Sequence, residues 1–355
     1  MESRRRCTLV SLVVFLVTLC GRVSAFHQST DLVPGYLNYT TMRTLGRQME
    51  ESLRFLVIGD WGGLPTAPYT TPVETHCAKG MATLAQQKGA HFILALGDNF
   101  YYHGVQSVQD PRFQETYESV YTASSLQIPW YLVAGNHDHY GNVSAEIDYT
   151  KVSKRWNFAN YYYPLSFQLP GSTATVDILM LDTILLCGLT QEDTKGDQPK
   201  GPADLGAATD QWAWLEQQLQ NSKADYLLVA GHYPVLSVAE HGPTNCLVER
   251  LMPLLYKHRV TAYLSGHDHN LQHLLYSHQN ITMNYFVSGS ANFIDPSMAH
   301  EDSVPAGSLK YHWANVEGYG GIGLVEASSA KMVFSFWDPF GNLMYSHAMS
   351  RRQVV

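Results

Sequence analysis

An α/β architecture of two packed, mixed β-sheets flanked by helices follows from three properties of this sequence. Short apolar runs, branched or aromatic in bias, recur along the chain and stop at a turn residue. Stretches with helical spacing of apolar side chains lie between several of these runs. After Gly320 the pattern changes to two adjacent apolar runs joined by a short polar turn. Strand-helix alternation with extra strands appended requires two sheets covered by helices.

The N-terminus precedes this pattern. Residues 1–25 carry Arg4, Arg5 and Arg6, an apolar run from Leu9 to Leu19, and small Val23 and Ala25 before Phe26, the layout of a secretory signal peptide. That run falls short of the roughly 20 apolar residues that span a bilayer, so cleavage is expected rather than anchoring. Residues 26–52 read as an extension and 53–350 as the catalytic domain. The mature chain is expected to be soluble, monomeric, and secreted or lysosomal.

Seven runs read as buried strands: residues 55–58, 92–96, 130–134, 176–181, 226–230, 261–264 and 285–287. Helical patterns occupy 73–88, closed by Gly89, then 112–121, 210–221 and 247–258. Asp210 is the expected N-cap of the third, because Trp212, Leu215 and Leu219 follow it on one apolar face. The late hairpin pairs 322–327 with 332–337 across Ser328-Ser329-Ala330. A polar stretch from Gly188 to Gly206 reads as an exposed loop.

Loss of residues 1–25 takes Lys plus Arg from 23 to 19 and Asp plus Glu from 31 to 30, a formal charge of −11. So acidic a chain is a poor ligand for nucleic acid. Cys77, Cys187 and Cys246 survive cleavage. In an oxidising compartment one pair is expected. Cys187 with Cys246 is favoured, because both follow apolar strand or loop segments on either side of Gly231-His232, whereas Cys77 sits in a helical pattern. Three buried thiols are the alternative. Asn38, Asn142 and Asn280 each begin an Asn-x-Ser/Thr sequon, the marks of a glycoprotein.

Five short motifs follow apolar runs: Gly59-Asp60-Trp61-Gly62-Gly63, Gly97-Asp98-Asn99-Phe100-Tyr101, Gly135-Asn136-His137-Asp138-His139, Gly231-His232-Tyr233-Pro234 and Gly266-His267-Asp268-His269. Ligands gather beyond the carboxyl ends of strands in such folds, which is where these motifs fall. Asp60, Asp98, Tyr101, Asn136, His232, His267 and His269 together form a donor set for two metal ions. Two carboxylates and a phenolate are hard anionic donors suited to a trivalent ion, and the nitrogen-rich remainder suits a divalent one. A tyrosinate ligand points to Fe(III). Paired ions about 3.5 to 4 Å apart need a bridging carboxylate, and Asp98 is the candidate. The same donors would also serve a protein that carries iron or cycles it through redox states.

In these motifs, from about Arg54 onward and including Ala239-Glu240-His241-Gly242-Pro243-Thr244, the chain resembles the purple acid phosphatases. The resemblance implies a calcineurin-like metallophosphoesterase sandwich. It assigns Asp60, Asp98, Tyr101 and His269 to Fe(III), and Asp98, Asn136, His232 and His267 to a divalent ion, Fe(II) ahead of Zn or Mn. The implied reaction is hydrolysis of phosphate monoesters, phosphoproteins included, by attack of a metal-bound hydroxide. His137 and His241 are the implied proton donors to the leaving group. Asp138, His139 and Asp268 are read as orienting or loop residues rather than ligands. For the 188–206 loop the resemblance implies a segment cut by an activating protease, with a plain surface insertion as the alternative. Related calcineurin-like protein phosphatases and phosphodiesterases lack the phenolate and have Asp-x-His where this chain has Asp60-Trp61-Gly62.

Overall fold

A computed structural model describes residues 52–190 and 197–353. Expectations that concern residues 1–51, Asn38 among them, and the central part of the 188–206 loop therefore lie outside the described residues.

The first strand, β1 (Leu53–Ile58), is buried along almost its whole length and is followed by α1 (Pro72–Lys88). Thr71 caps that helix by accepting the Glu74 N–H at 3.0 Å. Gly89, at φ 74°, closes it by donating to Ala85 at 2.9 Å. The short strands β2 (Phe92–Ala95), β3 (Trp130–Leu132) and β4 (Trp156–Asn157) continue from β1 in parallel. Between them lie α2 (Asn136–His139) and α3 (Val143–Tyr149). Late in the chain β12 (Ile322–Ala327), β13 (Met332–Trp337) and β14 (Leu343–Met349) join the other edge antiparallel, giving a seven-stranded sheet ordered β14-β13-β12-β1-β2-β3-β4.

The second sheet also has seven strands. Its centre is parallel: β6 (Thr175–Met180), β7 (Tyr226–Ala230), β8 (Ala262–Ser265) and β10 (Ile281–Ser288). Antiparallel β5 (Tyr163–Gln168) closes one edge, and β9 (Leu271–His278) with β11 (Leu309–Trp313) closes the other. Helices α4 (Thr183–Cys187), α5 (Leu205–Asn221) and α6 (Asn245–Lys257) cover its outer face.

Aromatic side chains join the two sheets. Phe92 of β2 stacks on Phe167 of β5 with ring centroids 4.5 Å apart, and Phe286 of β10 stacks on Phe334 of β13 at 4.0 Å. Behind the second sheet, Leu179, Leu227 and Val229 meet Trp212, Leu215 and Leu219 of α5 and Leu247, Leu251 and Leu255 of α6. Flat ring-on-ring contact of this kind adds to the free energy of burial. Cys187 and Cys246 form a disulfide that ties the end of α4 to the start of α6. Cys77 is a buried free thiol.

Two expected helices need correction. The third begins at Leu205, with Asp204 as its cap accepting the Gly206 and Ala207 N–H groups at 2.8 and 3.0 Å. The Asp204 cap starts the helix one turn earlier than the apolar face requires, and Asp210 becomes an interior residue. At 112–121 there is only a π-helical turn, Phe113–Glu118. Its wide winding lets both Phe113 and Tyr117 reach Trp156, at 5.5 and 4.9 Å between centroids, so packing overrides the α pattern.

Candidate metal centre

Both sheets contribute to one cleft. Asp60 follows β1, Asp98 and Tyr101 follow β2, and Asn136 opens α2 just after β3; His232 follows β7, and His267 and His269 follow β8. The chain must reverse abruptly at these points. Asp60, Asp98 and His267 accordingly adopt left-handed backbone conformations, at φ 57°, 51° and 70°. Such geometry costs about 1 to 3 kcal/mol per non-glycine residue, and it clusters at functional sites. Glycine is required beside two of the carboxylates, because a Cβ on Gly135 would collide with Asp98 Oδ1 and one on Gly266 with Asp60 Oδ2.

Donor atoms converge across the cleft. The Tyr101 hydroxyl lies 3.1 Å from Asp60 Oδ1 and 3.0 Å from His269 Nε2. His232 Nε2 lies 2.9 Å from Asn136 Oδ1 and 3.5 Å from Asp98 Oδ1. Ligand atoms of Asp60, Asp98 and His232 all fall within 4.8 Å of one another, and all three residues are buried. The His267 ring stands 5.0 Å from that of His232, and its backbone N–H donates to Asp60 Oδ2 at 2.8 Å. All seven expected donors thus border one pocket.

The chemistry of this set fits metal ions. His232 Nδ1 lies 2.9 Å from the Leu96 carbonyl, which fixes that nitrogen as the donor and leaves Nε2 as a bare lone pair. Facing it at 2.9 Å is Asn136 Oδ1, another acceptor. A cation between them turns this opposition into coordination. Burial, and then the Asp98 charge, push the Asp60 carboxyl well above its ordinary range. Burial also pushes the Tyr101 phenol up, with Asp60 and Asp98 adding to it, so a phenolate here requires a strong nearby cation. Burial and His241 hold His269 down to about 3, and burial likewise lowers His267, keeping both imidazoles neutral as metal binding demands.

A supporting layer fixes the loops. Asp138 accepts the Gly135 N–H at 2.7 Å and the Asn99 and Phe100 N–H groups at 3.1 and 3.0 Å, so one carboxylate joins the loops that bear Asn136 and Asp98. Asp268 accepts the His241 N–H at 3.0 Å and is bonded by the Ser237 hydroxyl. His139 Nε2 pairs with Asp182 at 2.7 Å, away from the donor cluster. The His137 ring uses Nδ1 to donate to the Tyr102 carbonyl at 2.8 Å, while Nε2 stands 3.9 Å from Asp98 Oδ2. His241 stacks on His267 with centroids 4.1 Å apart.

Residues 53–271 match the calcineurin-like phosphoesterase family. Over 302 residues the chain is 50% identical to tartrate-resistant acid phosphatase type 5 of Oryctolagus cuniculus, an alignment covering 85% of this chain and 92% of the relative. It is 30% identical to purple acid phosphatase 7 of Arabidopsis thaliana over 315 residues, 87% of this chain and 89% of the other. The chain belongs to the purple acid phosphatases, within the calcineurin-like phosphoesterases. The purple acid phosphatase scaffold also resembles the structure described as "GAP50 the anchor in the inner membrane complex of Plasmodium", with TM-score 0.71, 23% identity, and coverage of 86% of this chain and 90% of that one. That likeness concerns the fold alone.

Sequence reasoning overlooked several residues that shape this purple acid phosphatase site. Buried Arg112 donates to the carbonyls of Tyr101 and Gly62, at 2.6 and 2.5 Å, from within a segment that reads as ordinary helix. Asn99 bonds Trp61 Nε1, the Val133 carbonyl and Glu146 at 3.1, 3.0 and 3.0 Å, packing the motif interior. Asn99 stands within the Gly97–Tyr101 motif beside Asp98, the one local mark of its role. Nothing local distinguishes Arg112.

Proposed function

We propose that this purple acid phosphatase family member is a secreted or lysosomal acid phosphatase that hydrolyses phosphate monoesters, phosphoproteins among them, at an Fe(III)–M(II) centre. In this reading Asp60, Asp98, Tyr101 and His269 hold Fe(III). Asp98, Asn136, His232 and His267 hold the divalent ion, Fe(II) in preference to Zn or Mn. The observation that carries the reading is the Tyr101 hydroxyl lodged between Asp60 Oδ1 and His269 Nε2, which brings a phenol oxygen, a carboxylate and an imidazole together as a donor set suited to a ferric ion. When bound, the ion pair would supply Lewis acidity, drawing in phosphate oxygens and acidifying the attacking water.

The protein's own groups then have distinct tasks. Asp98 faces both halves of the donor set and joins them. His137, oriented by the Tyr102 carbonyl and 17% exposed in its side chain, presents Nε2 to the pocket, where it can protonate the leaving oxygen. His241, held by Asp268 through its backbone, can hydrogen-bond the phosphate from the His267 side. Asp138 and Arg112 hold the loops so that little rearrangement accompanies the reaction.

The disulfide supports passage through an oxidising compartment. Asn142 and Asn280 are both exposed, which supports their use as glycan acceptors. Among the described residues no helix is long and apolar enough to cross a membrane. Gln198 bonds the Pro243 carbonyl at 3.0 Å and the Asn245 N–H at 2.7 Å, tethering the return leg of the 188–206 loop close to His241. This tether supports modulation of turnover by proteolysis of that loop. Equal rates for intact and nicked protein would remove the idea.

Metal analysis with a visible spectrum tests the central reading. Two metals per chain, at least one of them iron, a tyrosinate-to-iron absorption band, and turnover of an aryl phosphate between about pH 4 and 7 are expected. A colourless active protein would overturn the ferric assignment. Two bound metals with no hydrolysis would overturn the phosphatase.

A further inference from the structure

Two adjacent residues at the start of α4 reach two different loops of the cleft. Asp182 Oδ2 pairs with His139 Nε2 at 2.7 Å, at the end of the single helical turn that opens with Asn136. Thr183 Oγ1 accepts the backbone N–H of Tyr233, the residue after His232, at 3.0 Å. Beyond the helix Thr190 repeats the pattern: its carbonyl accepts from the Tyr140 hydroxyl at 2.7 Å, and its N–H donates to the Tyr233 hydroxyl at 3.2 Å. One short segment therefore grips both loops at each of its ends.

The segment is itself anchored. Gln211 of α5 accepts the Asp182 N–H and donates to the Asp182 carbonyl, both at 3.0 Å. Asp182 Oδ1 also caps α4 by accepting the Ile184 and Leu185 N–H groups at 3.0 and 2.8 Å. Asp182, Thr183, Gln211 and Tyr233 are fully buried, so each of these bonds is costly to leave unmade. Tyr233 in turn sets its ring 4.6 Å from that of His267 and 5.6 Å from that of His232. The contacts thus lead to Asn136, His232 and His267, the three donors assigned to the divalent ion alone. None of these bonds reaches Asp60, Tyr101 or His269.

Asn136 and His232 leave different sheets, so their spacing depends on bonds that join the two layers. Resting on the Fe(III)–M(II) reading above, we infer that residues 182–190 act as a clasp. Asp182, Thr183 and Thr190 are positioning residues that fix the 2.9 Å approach of Asn136 Oδ1 to His232 Nε2, and they govern retention of the divalent ion without governing the ferric one.

Thr183→Val keeps the volume and deletes the hydroxyl, and Asp182→Asn keeps the shape and deletes the charge. Zn(II) titrated calorimetrically into protein that retains its iron, but has been dialysed free of the divalent ion, should bind about tenfold more weakly to each variant. Iron content and the visible band should not change. Thr183→Ser, which restores the hydroxyl, should recover most of the affinity. Unchanged zinc affinity in both variants, or loss of iron in step with the divalent ion, would overturn the clasp. If the wild type held no divalent ion beside iron, the Fe(III)–M(II) reading would fall instead, and hydrogen exchange in the metal-free protein would still decide the clasp. There both variants should speed exchange in residues 136–140 and 231–233 but not in 60–63 or 98–101. Exchange equal to that of the wild type would sink it.

Discussion

Arg112 donates through its guanidinium to the backbone carbonyl of Tyr101, so a residue outside every motif holds the loop of the phenolic donor. Its second terminal nitrogen reaches Gly62, two residues beyond Asp60, and Nε reaches the Thr116 hydroxyl at 2.9 Å. One planar fork therefore joins the two loops that supply Asp60 and Tyr101. Arg112→Met should leave the Tyr101 carbonyl without its guanidinium donor and the Gly62 carbonyl with the Tyr101 N–H alone, and lower stability by about 3 kcal/mol, read as a shift in the urea midpoint. Any tyrosinate band should weaken in parallel. Arg112→Lys should recover only part of either property, since a single ammonium cannot span both acceptors.

Asp98→Ala removes the carboxylate proposed to bridge the two halves of the donor set. Metal content measured after purification should fall to near zero, and activity with it. Full retention of two metals would refute the bridging role.

His137→Ala should keep its metals, because the backbone N–H of residue 137, which donates to Asp98 Oδ1 at 3.1 Å, survives the substitution. Turnover should drop about a hundredfold for poor leaving groups and less for good ones, as loss of a general acid predicts. A rate loss independent of the leaving group would remove the acid assignment.

Cys187→Ser opens a bridge between residues 59 apart in sequence. On the chain-entropy view stability should fall by roughly 4 kcal/mol, measurable by equilibrium unfolding. The anchor at Cys246 lies only a few residues beyond His241, so a rise in KM should accompany the loss. A variant as stable as the parent would show that packing alone holds α4 against α6.

The central strands were legible because parallel strands buried on both faces must be continuously apolar, as β2 and β7 are throughout and β1 is from Phe55 to Ile58. The late hairpin was legible for its turn. Strand β5 leaves no unbroken apolar run, because buried Tyr163, Leu165 and Phe167 alternate with Pro164, Ser166 and Gln168. Strand β9 ends in exposed Ser277 and His278, and β14 carries Ser346 and His347 in its interior, which dilutes the apolar signal of each. At the site, the donors announced themselves by chemical type at strand ends. Arg112 acts on carbonyls 11 and 50 residues away, and such contacts leave no trace in local sequence. Asp138 reads in sequence as an orienting or loop residue, and its three N–H partners come together only once the loops fold.

Asp60, Asp98 and Asn136 leave one sheet, whereas His232 and His267 leave the other. Cations gripped by both would act as rivets through the seam of the sandwich, binding only while the two layers keep their mutual alignment. Mass action then makes ion occupancy a brake on layer slippage, and chelation should loosen the whole molecule rather than one loop. Catalytic centre and mechanical fastener would be the same object.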